Sequence, residues 1–211
     1  EGEIIRVTGL PKSGRRTVEV DTDEPDPRKK LIVDEHMDVY PNTYTVQQYG
    51  YRPNEVALSF DDGPDPKWTP RILDILKRKG VHGTFMLIGD QAQQNIGLMQ
   101  RIVREGNEVG NHTYTHPDIS EISLRQLDFE VSLTNRLFAS KLGVQPLYFR
   151  PPYDIDKEPD TDDQAAPIVR IQQDGLIVVG NKLDTNDWDE RVRKTPEQIA
   201  QSVLDQLNRM K

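Results

Sequence analysis

The chain has 211 residues, enough for one well-packed core and a small appendage. Hydrophobic residues make up 35% and charged residues 29%, a soluble globular balance, and the net charge of −8 argues against a nucleic-acid partner. The absence of cysteine excludes disulfides, thiolate metal sites and cysteine nucleophiles, and no apolar run is long enough to span a bilayer.

Residues 1–52 carry three short β-like runs, at 4–7, 17–20 and 31–33, separated by Gly14 and the acidic, proline-bearing stretch at 21–30. They predict a hairpin or small sheet, either decorating the main domain or left from an upstream one. His36, in the polar stretch DEHMD, reads as a solvated surface histidine. From residue 53 the pattern changes. In EVALSFDDGP, residues 55–64, Val56, Leu58 and Phe60 alternate with smaller or polar residues, which predicts a buried strand. The strand is expected to stop at Asp61 and Asp62, before the turn pair Gly63-Pro64. Two adjacent acids there repel each other and are costly to desolvate together. A metal, an arginine or water must compensate them, although a simple polar cap of the strand would look the same.

Strand and helix then alternate. Trp68-Thr69-Pro70 predicts a helix with Thr69 as N-cap and Gly80 at its end. Residues 84–88 read as a strand, a helix over 95–105 ends at Gly106, and an extended piece leads into Val109-Gly110. Ser123 and Gln126 form a capping box for a helix that ends at Gly143. Residues 147–149 and 176–179 read as strands with a helix over 165–173 between them. Thr195-Pro196-Glu197-Gln198 repeats the capping signature and opens a helix with Ile199, Val203, Leu207 and Met210 on one face. The alternation predicts an α/β fold, a parallel sheet covered by helices, with ligands at the carboxyl ends of the strands.

The polar clusters fall at those ends. Asn111-His112-Thr113-Tyr114-Thr115-His116-Pro117 holds two histidines four apart, a spacing that would put both imidazoles on one side of a helical turn. With Asp61 or Asp62 they supply the two-histidine, one-carboxylate set of open divalent-metal sites. Asn111-His112-Thr113 also matches a glycosylation sequon, but a glycan there would block the pocket. Arg150, between a strand end and the stiff pair Pro151-Pro152, is placed to pair with one of the aspartates and keep it ionised as a base; a surface ion pair is the plainer alternative. Asp184-Thr185-Asn186-Asp187-Trp188 puts further acids after the last strand, beside one of two tryptophans.

Taken together, SFDDGP, HTYTH, RPPY and DTNDW resemble, in order, four of the five signature motifs of the polysaccharide deacetylases, carbohydrate esterase family 4 with its NodB homology domain. The resemblance covers residues 53–211. It implies a distorted, incomplete (β/α) barrel, with residues 1–52 as a small β-rich N-terminal segment. It further implies metal-dependent hydrolysis of N-acetyl groups from N-acetylglucosamine-type residues of a polysaccharide. By the same resemblance Asp61 is the general base, Arg150 orients it, and Asp62, His112 and His116 hold a divalent metal, zinc first, with cobalt, nickel or manganese as alternatives. The Tyr153 backbone amide would help stabilise the oxyanion. Asp184, Asp187 and Trp188 would build the far wall, and Pro152, Tyr153 and Trp188 would contact substrate. A glycan partner, a cell-surface or extracellular location and further carbohydrate-active domains in a longer parent chain follow from the family alone.

One motif has no counterpart. The family's late strand ending in a general-acid histidine is missing, since no histidine follows His116. Residues 53–211 therefore read as a C-terminally truncated domain, and the chain, which opens on Glu1 and not Met, as a piece shortened at both ends with low activity of its own. Two rivals stand beside the deacetylase. One is a catalytically inactive carbohydrate-binding module on the same barrel, the other a metal hydrolase for a different amide or ester.

Overall fold

Five strands follow one another as a parallel sheet in chain order: β5 (Ser59–Gly63), β6 (Thr84–Leu87), β7 (Glu108–Asn111), β8 (Tyr148–Phe149) and β9 (Ile177–Asn181). The computed structural model describes residues 2–8, 15–20, 32–39, 45–50, 52, 54–154, 162–188, 191 and 194–209. Gly14, the acidic stretch 21–30, Leu31 and Met210 lie outside the described residues. The crossovers are α1 (Thr69–Lys79), α2 (Gly89–Gln94) with α3 (Ile96–Arg104), α4 (Leu124–Leu142) and α5 (Asp162–Gln173), and α6 (Pro196–Arg209) follows β9. Each crossover returns the chain to the start of the next parallel strand, the geometry that a parallel pair requires.

The N-terminal segment is β-rich as expected, but its strands part company. β2 (Arg15–Val20) and β3 (Ile32–Val39) form a separate antiparallel pair, with exposed His36 opposite Thr17. β1 (Gly2–Thr8) instead pairs antiparallel with β9, through Ile4 and Val179, and β4 (Thr45–Tyr49) pairs antiparallel with β1. The main sheet thus has seven strands in the order β4-β1-β9-β8-β7-β6-β5, and it crosses the expected boundary at residue 52. Among the described residues it does not close into a barrel, and β4 and β5 are its edges.

Two apolar clusters hold the layers together. One gathers Ile5 and Val7 of β1, Phe149, Val178 and Ile168 and Ile171 of α5; the other gathers Leu73, Leu76, Phe85, Leu87, Met99 and Ile102. Helix α4 joins them. Leu127 and Val131 pack into the first cluster, Leu137 and Phe138 into the second. Each large side chain so buried contributes about 1.5–3 kcal/mol.

Three local expectations change. Residues 55–58 are not a strand, and Val56 and Leu58 are 50% and 43% exposed. β5 starts later, as an edge strand with a sheet neighbour on one side, so the alternating residues before it face an open cleft rather than a core. The N-cap of α1 is Trp68 and not Thr69. The Asp65 carboxylate accepts from the Lys67 and Trp68 amides, while the Thr69 hydroxyl accepts from the Asp65 amide. The expected helix over 95–105 is preceded by the short α2, with Asn95 between the two. No helix among the described residues is long and apolar enough to cross a membrane.

Candidate active site

The paired acids sit on a bulge. β5 matches β6 at Ser59↔Thr84 and Phe60↔Phe85, then slips before Gly63↔Leu87, and Asp62 adopts φ 63°. In a regular strand neighbouring side chains face opposite sides. The extra residue of a bulge breaks that alternation, and here both acids line one cleft of about 800 Å³. A left-handed non-glycine residue costs about 1–3 kcal/mol, which the surrounding structure has to offset.

Asp62 meets the two histidines. Its Oδ1 lies 3.3 Å from His112 Nε2 and 3.1 Å from His116 Nε2. The ring pair gets there by a route other than the expected helical turn. Residues 112–118 form a loop after β7, with Thr113 at φ 66° and His116 at φ 62°, and the two rings stand edge to face with centroids 5.0 Å apart. The turn is gripped from two helices. Gly89 and Asp90, opening α2, donate their amides to the Thr113 and Tyr114 carbonyls, and Thr134 of α4 donates its hydroxyl to the Thr113 carbonyl. A Cβ on Gly89 would lie 2.3 Å from Tyr114 Cδ2 and 2.5 Å from Thr134 Oγ1. Gly89→Ala is therefore expected to destabilise the metal-free protein by about 1–3 kcal/mol, read as a lower urea midpoint.

The donor set fits a cation. His112 Nδ1 is 2.7 Å from the Arg150 carbonyl, an acceptor only, so Nδ1 carries the proton. A neutral His112 then turns the Nε2 lone pair toward the Asp62 carboxylate. Either the ring becomes imidazolium or a cation sits between them. One ligand atom from each of Asp62, His112 and His116 falls within 4.8 Å of the others, and the set is one carboxylate and two imidazoles. Proximity of the rings, His112 before His116, also holds the Asp62 carboxyl well below the usual carboxylate range, against the opposing effect of burial.

Asp61 is held apart from this set. Arg150, 4% exposed, donates from Nη1 to Asp61 Oδ1 at 2.7 Å and to Ser59 Oγ at 2.9 Å. Its Nε and Nη2 reach the Val179 and Gly180 carbonyls at 3.2 and 2.7 Å. Of the two aspartates the expectation left open, Arg150 takes Asp61, and the pair is anchored to β9 rather than solvated. Tyr153, at φ 62° in the 3-10 turn Pro152–Asp154, is 65% exposed, with its ring 4.8 Å from that of His116. Pro152 is buried and is not among the cleft-lining residues. Asp184, Asp187 and Trp188 line the same cleft. Asp184 accepts from the Asn186 amide at 2.8 Å and from Trp188 Nε1 at 3.4 Å, and Asp187 accepts from the Thr185 hydroxyl. Asn111 of the sequon is fully buried, donating to the Val131 carbonyl and to Asn135 Oδ1, which leaves no room for a glycan.

Two contributors escaped the sequence reading. Ser59 gives no local signal. Glu130 does: it falls in line with Leu127, Val131, Thr134 and Leu137 on the buried face of α4, where an acid is out of place.

The sequence profile of the polysaccharide deacetylases matches residues 49–162, more than half of the chain and all of the candidate metal-ligand set. The chain belongs to the polysaccharide deacetylase family. It is 35% identical over 138 residues to a peptidoglycan-N-acetylglucosamine deacetylase of Bacillus cereus, covering 65% of this chain and 48% of that one. It is 37% identical over 150 residues to a chitooligosaccharide deacetylase of Bradyrhizobium, covering 71% and 64%. The chain thus spans about half to two-thirds of the length of these relatives. The solved structure of the peptidoglycan deacetylase PdaC of Bacillus subtilis superposes with a TM-score of 0.62 at 32% identity, over 74% of this chain and 72% of that one. The unclosed α/β architecture is therefore that of the polysaccharide deacetylases, as expected.

Proposed function

We propose that this polysaccharide deacetylase domain hydrolyses N-acetyl groups from N-acetylglucosamine-type residues of a glycan, with a divalent cation held by Asp62, His112 and His116. The observation that carries this reading is the division of the two acids, Asp62 facing the imidazoles and Asp61 bound to a buried arginine in the same cleft. A bound divalent cation, zinc in the first instance, supplies the Lewis acidity that polarises the acetyl carbonyl and acidifies water. Asp61, oriented by Arg150, accepts a proton from the attacking water as general base. The same proton is then available to the departing nitrogen when the C–N bond breaks, and among the described residues the cleft holds no third histidine to supply it. The backbone amide of Tyr153, in its left-handed turn, would donate to the developing oxyanion. The exposed rings of Tyr153 and Trp188 offer apolar faces to pyranose rings, and Asp184 and Asp187 line the same cleft. A cell-wall glycan as substrate would put its action at the cell surface or outside the cell.

The test is acetate release from acetylated chitooligosaccharides and from peptidoglycan glycan strands. Release is expected with zinc, is lost on chelation and returns when zinc is restored. Retention of the glycans without release, zinc present, would make the chain a binding module. Cleavage of aryl acetates alone would make it a hydrolase of another ester.

A further inference from the structure

Glu130 is a buried acid, 8% exposed, on the stretch of α4 whose Leu127 and Val131 pack into the first apolar cluster. Its Oε2 accepts from the amides of Tyr114 at 2.8 Å and Thr115 at 2.7 Å, and its Oε1 from the Thr115 hydroxyl at 2.8 Å. It forms no salt bridge among the described residues. A carboxylate buried without a cation is costly unless its lone pairs meet donors, and these three donors occupy three of its about four positions. All three belong to the two residues immediately before His116.

We infer that Glu130 is a positioning residue that sets the His116 imidazole toward Asp62, an inference that rests on Asp62, His112 and His116 being cation ligands. The two rings are held by different means. His112 is tied directly to the Arg150 carbonyl through Nδ1. Among the described residues no hydrogen bond to another protein group fixes the His116 ring from behind; it follows a backbone at φ 62°, whose amide is held by Thr113 Oγ1 and whose two preceding amides are held by Glu130. Losing the Glu130 carboxylate removes the grip on the Tyr114 and Thr115 amides, next to His116, and leaves the contact of His112 with the Arg150 carbonyl intact. Side chains behind metal ligands commonly act this way, and their loss weakens metal binding about 10- to 100-fold.

Three substitutions separate shape from charge. In Glu130→Gln the amide oxygen accepts both backbone N–H groups while the amide nitrogen donates to the Thr115 hydroxyl, so every contact survives without the charge. In Glu130→Asp the charge survives, but the side chain is one methylene too short to reach the turn. Glu130→Ala removes both. The readouts are cobalt(II) affinity by calorimetry, the visible spectrum of the bound cobalt, and the unfolding midpoint of the metal-free protein. Cobalt affinity of Glu130→Gln is expected to stay within about threefold of wild type, and that of Glu130→Asp and Glu130→Ala to fall about 10- to 100-fold with an altered spectrum, measured well below each unfolding midpoint. In a His116→Ala background Glu130→Asp is expected to have no further effect. Should the alanine variant not fold, the glutamine and aspartate variants decide. A Glu130→Asp protein with wild-type affinity and spectrum overturns the inference alone, as does an undiminished effect without His116. A wild-type protein that takes up no cobalt overturns the metal reading and this inference with it.

Discussion

Asp61→Asn is expected to cut acetate release by about 10²–10⁴-fold, the usual contribution of a general base, while changing cation affinity by less than about threefold. Asparagine keeps the shape of the side chain, and its carbonyl oxygen can still accept from Arg150 Nη1, now 2.7 Å from the carboxylate. What it cannot do is take a proton from water. Arg150 also keeps Ser59 and the Val179 and Gly180 carbonyls, so the guanidinium stays anchored and the cleft keeps its form. The proposed cation ligands converge on Asp62 Oδ1, and among the described residues none of them shares a hydrogen bond with Asp61. Steady-state acetate release and calorimetric cation titration on the same preparation read the two quantities. Loss of both in equal measure would mean that Asp61 is itself a ligand and that the two acids do not divide the work.

How much of this the chain discloses on paper depends on the range of the interactions. The order of strands and helices is legible because hydrophobic period and capping residues are local: Ser123 accepts from the Gln126 amide, and Thr195 and Gln198 cap each other, as their spacing predicts. The candidate ligands are legible because polar residues at strand ends stand out against apolar surroundings. Three features are not, for reasons of distance or conformation. The pairing of β1 with β9 joins segments more than 170 residues apart, and neither carries a mark of the other. The bulge at Asp61 and Asp62 and the left-handed turn at Thr113 and His116 are imposed by tertiary contacts, against the local preference of those residue types. His-x3-His therefore suggests a helix face where the structure uses a loop. Val56 and Leu58 mislead in the same way. Alternation marks a surface with two faces but does not say that the apolar face meets a core.

Asp62→Asn is expected to weaken cation affinity by at least about 10²-fold, more than the loss of a supporting side chain produces, and to take activity down with it. In the proposed cation set the carboxylate is the one acid, so its replacement would remove both a strong oxygen donor and the charge that offsets a dication beside two imidazoles. The geometry should survive. Asp62 stands 66% exposed at its side chain, and the left-handed backbone that presents it is tolerated by asparagine better than by most residues. The pH dependence of the metal-free protein offers an independent check. The Asp62 carboxyl is held well below its usual range in the fold, so its contribution to stability is present above the unfolded value of about 4 and is lost as pH falls through the depressed folded value. Wild type should therefore lose stability over that acid window more steeply than Asp62→Asn, whose side chain does not titrate. Urea midpoints across the window, with chelator present, measure the difference. Identical pH profiles for the two proteins, or a variant that keeps wild-type cation affinity, would place the carboxylate outside the metal set and return the two histidines to a structural role.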